Sequence, residues 1–236
     1  MVIIMESGAQ EHDVERVIDR MIALGLDVHR SSGMTYTVLG GIGSGSAIDL
    51  REFKNMAGVR EAIRISSRWR MAARSANPAG SVVRIRDFEI GGPEVVYLPG
   101  PAIIRDVSES PQVRVLSAHA DALLVPSEFM ENSALLRELG RAGLPVILKR
   151  GECTGIDDWL TAAETILVAG NKEVILCESG VRTFAGGVLD LGAVADLRTL
   201  THLPVIAAPG DVTGRPDIRE ALNKAAIAAG AQGILG

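Results

Sequence analysis

VILKRG (146–151), VILCESG (174–180), LPVIAAPGD (203–211) and QGILG (232–236) are four short apolar runs separated by amphipathic stretches, and their recurrence decides the fold. A strand with one wet face alternates apolar and polar residues. Continuously apolar runs belong to strands covered on both faces, as in a parallel sheet flanked by helices. Each run is entered from an amphipathic segment closed by Gly or Pro, so the rhythm predicts repeated (β/α) units. In such architectures the chemistry sits at the C-terminal ends of the strands. Lys149, Arg150, Glu178, Ser179 and Asp211 are therefore the expected functional rim.

Working backward, ADALLVP and ENSALLRELGRAG continue the strand and helix alternation, preceded by the strand AIIRDV (102–107) and a helix near 111–119. SVVRIRDFEI and EVVYL read as two paired strands reversing at Gly91-Gly92-Pro93. Residues 71–80 read as a linker, with the (β/α) domain over 81–236.

Residues 1–70 break this rhythm. MVIIM is a strand, and Val14, Val17, Ile18, Met21, Ile22 and Leu24 fall on one helical stripe. LDVHRS and TYTVLGGIG form a hairpin around Ser31-Ser32-Gly33, DLREFKNM a second helix and VREAIRI a last strand. This β-α-β-β-α-β order is the ferredoxin-like arrangement, a shape often used for dimerisation or ligand sensing. The fold class is thus α/β, a ferredoxin-like domain followed by an incomplete, TIM-barrel-derived domain.

The chain has 236 residues, 47% apolar and 22% charged, enough to bury a sizeable core. A net charge of -5 and 3% aromatic residues argue against a nucleic-acid partner, which needs basic patches and stacking platforms. Cys153 and Cys177 lack metal-ligand spacing and read as reduced thiols. Neither a signal peptide nor a membrane span is read, which makes the cytoplasm the expected location and excludes a membrane partner.

The strings LPVILKRG, NKEVILCESGVRTF, LDLGAVADLRTLTHLPVIAAPGDVTGR and MVIIMESGAQEHDVERVIDRMIALGLDVH together resemble the type I 3-deoxy-7-phosphoheptulonate (DAHP) synthases that carry an N-terminal ferredoxin-like domain. The resemblance runs through essentially the whole chain. It implies a (β/α)8 barrel that condenses phosphoenolpyruvate with erythrose 4-phosphate, using a divalent metal, at the start of aromatic amino-acid biosynthesis.

It also implies departures. Gly100-Pro101-Ala102 stands where the family has Gly-Pro-Cys, and a methyl group cannot bind a cation. Asp211 stands at the family's His ligand, and the remaining two ligands would fall beyond Gly236. The expectation is no metal and no cofactor. About two strand and helix units, including the family's Lys-Pro-Arg-Thr-Ser loop, are missing after Gly100-Pro101. Pro126-Ser127-Glu128 replaces Gly-Ala-Arg, and Glu178-Ser179-Gly180 replaces Glu-Arg-Gly.

Lys149 matches the family's catalytic, phosphoenolpyruvate-binding Lys, and Lys149, Arg150 and Arg182 are the expected substrate-binding residues, with Glu178 paired to Arg182. His29 matches a regulatory position near which aromatic amino acids bind between paired ferredoxin-like modules. His202 reads as an interior hydrogen-bonding residue, and Asp190 and Asp211 as turn or helix caps. The chain is expected to be a catalytically impaired family member, a pseudoenzyme acting as a regulatory or assembly subunit. The expected partners are a second copy in a homo-oligomer, an intact DAHP synthase or other aromatic-pathway enzyme, and an aromatic amino-acid effector. Two alternatives stand beside it: an active synthase or aldolase, for instance one using a Schiff base on Lys149, and an inactive truncated product.

Overall fold

In the computed structural model, which describes residues 1–33, 36–42, 48–63, 68–184 and 186–236, the N-terminal segment runs β1 (Val2–Met5), α1 (Glu11–Ala23), β2 (Asp27–Ser32), β3 (Thr37–Ile42), α2 (Leu50–Lys54) and β4 (Val59–Ile63). All pairings are antiparallel in the order β2-β3-β1-β4, the ferredoxin-like sheet. Its core follows from two periodicities. Every second residue of β1, Ile3 and Met5, and the α1 stripe Val14, Val17 and Met21 bury against each other with Leu39 and Phe53. The outer residues of two expected strands, Thr35 and Gly43, and Arg64 and Ile65, lie outside the described residues.

The chain divides into two units, Met1–Ser67 and Arg68–Gly236. Residues 71–80, expected as a linker, are instead strapped onto the second unit. Glu164 accepts the backbone N–H groups of Met71 and Ala72 at 2.9 and 2.8 Å. His202 bonds Ser81 through Nδ1 and the Met71 carbonyl through Nε2, the interior role expected of it. Ala73 forms a bridge to Thr201.

Beyond the strap come β5 (Val83–Ile85), β6 (Phe88–Ile90), β7 (Val96–Leu98), β8 (Ile104–Asp106), α3 (Ser110–Ser117), β9 (Ala122–Val125), α4 (Ser133–Leu139), β10 (Val146–Lys149), α5 (Ile156–Val168) and β11 (Val174–Glu178). A small hairpin, β12 (Val181–Thr183) with β13 (Gly186–Val188), then leads to α6 (Leu191–Leu200), β14 (Val205–Ala207), α7 (Pro209–Val212), α8 (Pro216–Ala229) and β15 (Gly233–Leu235). Among the described residues the parallel sheet has seven strands in the order β7-β15-β14-β11-β10-β9-β8. That is one short of a closed (β/α)8 barrel, so less is missing than the two units expected.

The SVVRIRDFEI and EVVYL pairing is corrected. The reversal comes at Arg86, whose φ of 54° is left-handed, so β5 pairs with β6 while β7 joins β15 in parallel. EVVYL instead joins the larger sheet as an edge strand, burying Val96 and Leu98 while Tyr97 stays exposed. The hairpin sits at the N-terminal end of that sheet, held there by Ser81 on His202, three residues ahead of β14.

Inner and outer faces of the sheet alternate residue by residue. Leu124, Ile147, Ile175, Cys177 and Ile206 pack inward with the hairpin's Val83, Ile85 and Ile90. Leu123, Val125, Val146, Leu148, Val174 and Leu176 pack outward against the helices. Trp159 of α5 is fully buried in that outer layer and donates to the Leu148 carbonyl; burial of such a side chain stabilises by roughly 1.5–3 kcal/mol. Helix ends follow local chemistry, with a Glu109/Gln112 capping box on α3, Asp190 capping α6, and α8 running from Pro216 to Gly230 at φ 111°. Among the described residues no helix is long and apolar enough to cross a membrane.

Candidate active site

At the C-terminal ends of β9, β10, β11 and β14 opens a cavity of about 590 Å³ lined by Ser127, Glu128, Lys149, Glu152, Arg182 and Asp211, with Pro126 and Ser179 beside them. Strand alternation decides which residues reach it. Along β10, Ile147 points inward, Leu148 outward and Lys149 inward again. Lys149 therefore lines the cavity, in register with buried Cys177 on β11.

Arg150, one residue on, goes the other way. It is only 6% exposed, and its guanidinium bonds Glu178 at 3.1 Å, Asp190 at 2.8 Å and the Thr154 carbonyl at 2.9 Å, over the Trp159 ring. Glu178 is fully buried and also accepts the Gly180 N–H at 2.8 Å. Arg150 is thus built into the wall behind the rim, and the expected pairing of Glu178 with Arg182 is corrected to Glu178 with Arg150. Burial pushes the Glu178 carboxyl upward while Arg150 and the Gly180 N–H pull it back, leaving it above the ordinary range. Burial pulls Arg150 down, but its two carboxylates hold its pKa up.

The two cations that do face the cavity are already paired. Lys149 Nζ lies 2.6 Å from Asp211 Oδ2, and Arg182 Nε lies 2.7 Å from Glu152. Burial lowers the Lys149 pKa; the Asp211 hydrogen bond and the surrounding acid charge more than offset this, and the ammonium is held charged. Asp211 is this partner rather than a helix cap, while Asp190 both caps α6 and binds Arg150. Glu128 adds a third carboxylate, so the lining carries three acids against two cations. Buried Cys177 has its thiol pKa pushed far up by desolvation, which makes it an inert core group.

Gly100-Pro101-Ala102 does not reach the rim. Arg86 donates to the Pro101 carbonyl and also pairs with Asp121, which accepts the Ile103 N–H. A Cβ on Gly100, at φ 50°, would fall 2.8 Å from Phe88. These residues lie against the hairpin and lead into β8. His29 lies in the other unit, on edge strand β2 opposite Gly40, exposed and 3.7 Å from Asp27. Residue identity alone foretold neither Glu152 nor Asp190 as partners; the alternation of inward Lys149 and Cys177 with outward Arg150 and Glu178 was available from strand period.

The family model described as the DAHP synthetase I family matches residues 52–235, and that of the DAHP synthase ferredoxin-like domain matches residues 1–67. The phospho-2-dehydro-3-deoxyheptonate aldolase of Thermotoga maritima is 26% identical over 100% of this chain and 88% of its own. A 2-dehydro-3-deoxyphosphooctonate aldolase of Acidithiobacillus ferrooxidans is 26% identical over 57% of this chain and 52% of its own. In fold, the chain is similar to the crystal structure of the Thermotoga maritima DAHP synthase, with a TM-score of 0.72 at 24% identity, over 99% of this chain and 86% of that one. A truncated form of the 3-deoxy-D-arabino-heptulosonate 7-phosphate synthase from Thermotoga maritima gives 0.68 at 25% identity, over 71% of this chain and 84% of that one.

These matches overturn the expectation that no cofactor serves the chain, because DAHP synthases use a divalent metal. Among the described residues no three His, Cys, Asp or Glu side chains gather into a ligand cluster. A hard cation, however, is commonly held by one or two carboxylates together with water and substrate oxygens. Asp211 presents such a carboxylate at the rim, with Glu152 in the same lining, so the residues present fit a metal of that kind.

Proposed function

Because the chain belongs to the DAHP synthetase I family, we propose that it serves aromatic amino-acid biosynthesis as a member weakened in condensation, acting as a regulatory or assembly subunit in the cytoplasm. The observation that carries this reading is the state of the rim. Both cations lining it are bound by carboxylates, and its net charge is negative. Holding two phosphorylated substrates requires free cations, and a guanidinium or ammonium bound to a carboxylate must first be released from it. The exposed ferredoxin-like edge carrying His29 would then supply pairing with another subunit, or sensing of an aromatic amino acid.

A second reading, an active synthase joining phosphoenolpyruvate to erythrose 4-phosphate, is favoured by Lys149. Its ammonium is kept charged at the strand end, next to the one rim carboxylate that it orients. Asp211, with Glu152, would hold the divalent cation, which when bound polarises a carbonyl oxygen. Lys149 and Arg182 would orient substrate oxyanions, and Ser127, bonded to Ser179 at 3.1 Å, would offer a hydroxyl.

The deciding measurement is DAHP formation by the purified chain from phosphoenolpyruvate and erythrose 4-phosphate, with Mn²⁺ and with a chelator. Turnover that depends on Mn²⁺ establishes the second reading. Absence of turnover, with co-purification of an aromatic-pathway enzyme or saturable binding of an aromatic amino acid, supports the first; absence of all three sinks it.

A further inference from the structure

The geometry points to a second anion site, on the outer surface of the (β/α) unit and away from the strand-end rim, in which Arg68, Arg137 and Arg141 take a small organic oxyanion. The three guanidiniums line a groove of about 380 Å³ together with Thr161, Glu164, Thr165, Val168 and Ala169, a volume typical of small-molecule sites. They come from separate places in the chain. Arg137 lies on α4, and Arg141 follows directly after the helix's C-cap Gly140. Arg68 stands at the start of the second unit, just ahead of the strap.

The groove is the reverse of the rim in its pairing. At the rim each cation has a carboxylate at hydrogen-bond distance. Here Arg141 reaches Glu138 only at 3.4 Å, Arg137 reaches only the Ser133 hydroxyl at 3.4 Å, and Arg68 has no partner among the described residues. The one carboxylate in the lining is already committed, since the two oxygens of Glu164 accept the Met71 and Ala72 N–H groups. That contact fixes the strap beside the arginines and occupies both Glu164 oxygens, leaving the guanidinium donors without a hydrogen bond to that carboxylate among the described residues. In a chain of net charge -5, three such groups make a local positive potential.

The floor specifies the rest of the ligand. Thr161 and Thr165 donate their hydroxyls to helix carbonyls at 2.7 and 3.0 Å, and Val168 is 67% exposed. The threonine hydroxyls are thereby taken, so recognition falls to the guanidinium forks, which bind phosphate or carboxylate in bidentate fashion. The occupant is an organic anion with a compact apolar body and a phosphate or carboxylate head.

Isothermal titration of the full chain at low ionic strength, with phenyl phosphate in one arm and phthalate in the other, tests this. The expected result is saturable one-to-one binding of at least one probe, weakening as salt rises, with the preferred probe telling phosphate from carboxylate. The double variant R137Q/R141Q should bind at least tenfold more weakly, and so should R68Q, which alters a different element. Lys149→Met should bind like the parent chain. Failure of both probes to bind overturns the site. So does unchanged affinity in R68Q and in a folded R137Q/R141Q, or loss of binding in Lys149→Met alone, which would place the anion at the rim.

Discussion

Arg150 illustrates how one residue's direction changes its job. Next to Lys149 in sequence, it is turned by the strand period into the wall, where Glu178 and Asp190 hold it. Arg150→Ala leaves Glu178 fully buried without its countercharge, a loss of about 3–5 kcal/mol, to be measured by urea unfolding at pH 7. The pH dependence follows from the raised Glu178 carboxyl. A carboxyl whose folded pKa exceeds its unfolded pKa favours the folded state when protonated; that contribution is complete below the unfolded value and is lost as pH rises through the folded one. The variant's deficit should therefore shrink as the pH falls from neutrality through the raised Glu178 value toward the ordinary carboxylate range, where the carboxyl is protonated. A deficit independent of pH would show that Glu178 is not the stranded group.

At the level of elements, the strap is the feature composition misjudged. RMAARSANPAG has the small residues and proline of a linker, yet its backbone N–H groups and carbonyls are satisfied by Glu164, His202 and Thr201. A side-chain acceptor for a backbone donor leaves no signal in the strap itself. Glu164→Ala should cost the (β/α) unit about 1–3 kcal/mol, the penalty for leaving the N–H of buried Ala72 unsatisfied, and open Arg70 and Arg74 to trypsin cleavage. Limited proteolysis with mass analysis checks it, and unchanged cleavage at those arginines would refute it. The hairpin is the companion case: a Gly-Gly-Pro break invites a turn, but β7 pairs with β15 in the parallel sheet, where Val96 and Leu98 are buried.

For the whole molecule, each unit has a core of its own, closed around Phe53 in Met1–Ser67 and around Trp159 in Arg68–Gly236. Phe53→Ala should remove about 3–5 kcal/mol from the first unit. Amide hydrogen exchange should then rise across β1, α1 and β3 while β9 to β11 keep their protection. Equal loss in both would mean that the units unfold together.

The sequence by itself determined the element rhythm, the fold class and the family, because apolar periodicity and helix-end chemistry act over a few residues and the long family strings are read in order. His202 as an interior residue and Asp190 as a cap were legible for the same reason. The tertiary structure alone decided that Lys149 meets Asp211 and Arg182 meets Glu152, that Arg150 leaves the rim, that Gly100-Pro101-Ala102 lies against the hairpin, and that Arg68 joins Arg137 and Arg141. Those partners lie tens of residues apart, and charges have no periodicity. Which acid neutralises which base is set by strand order and register, after the apolar surface has already fixed where each side chain points.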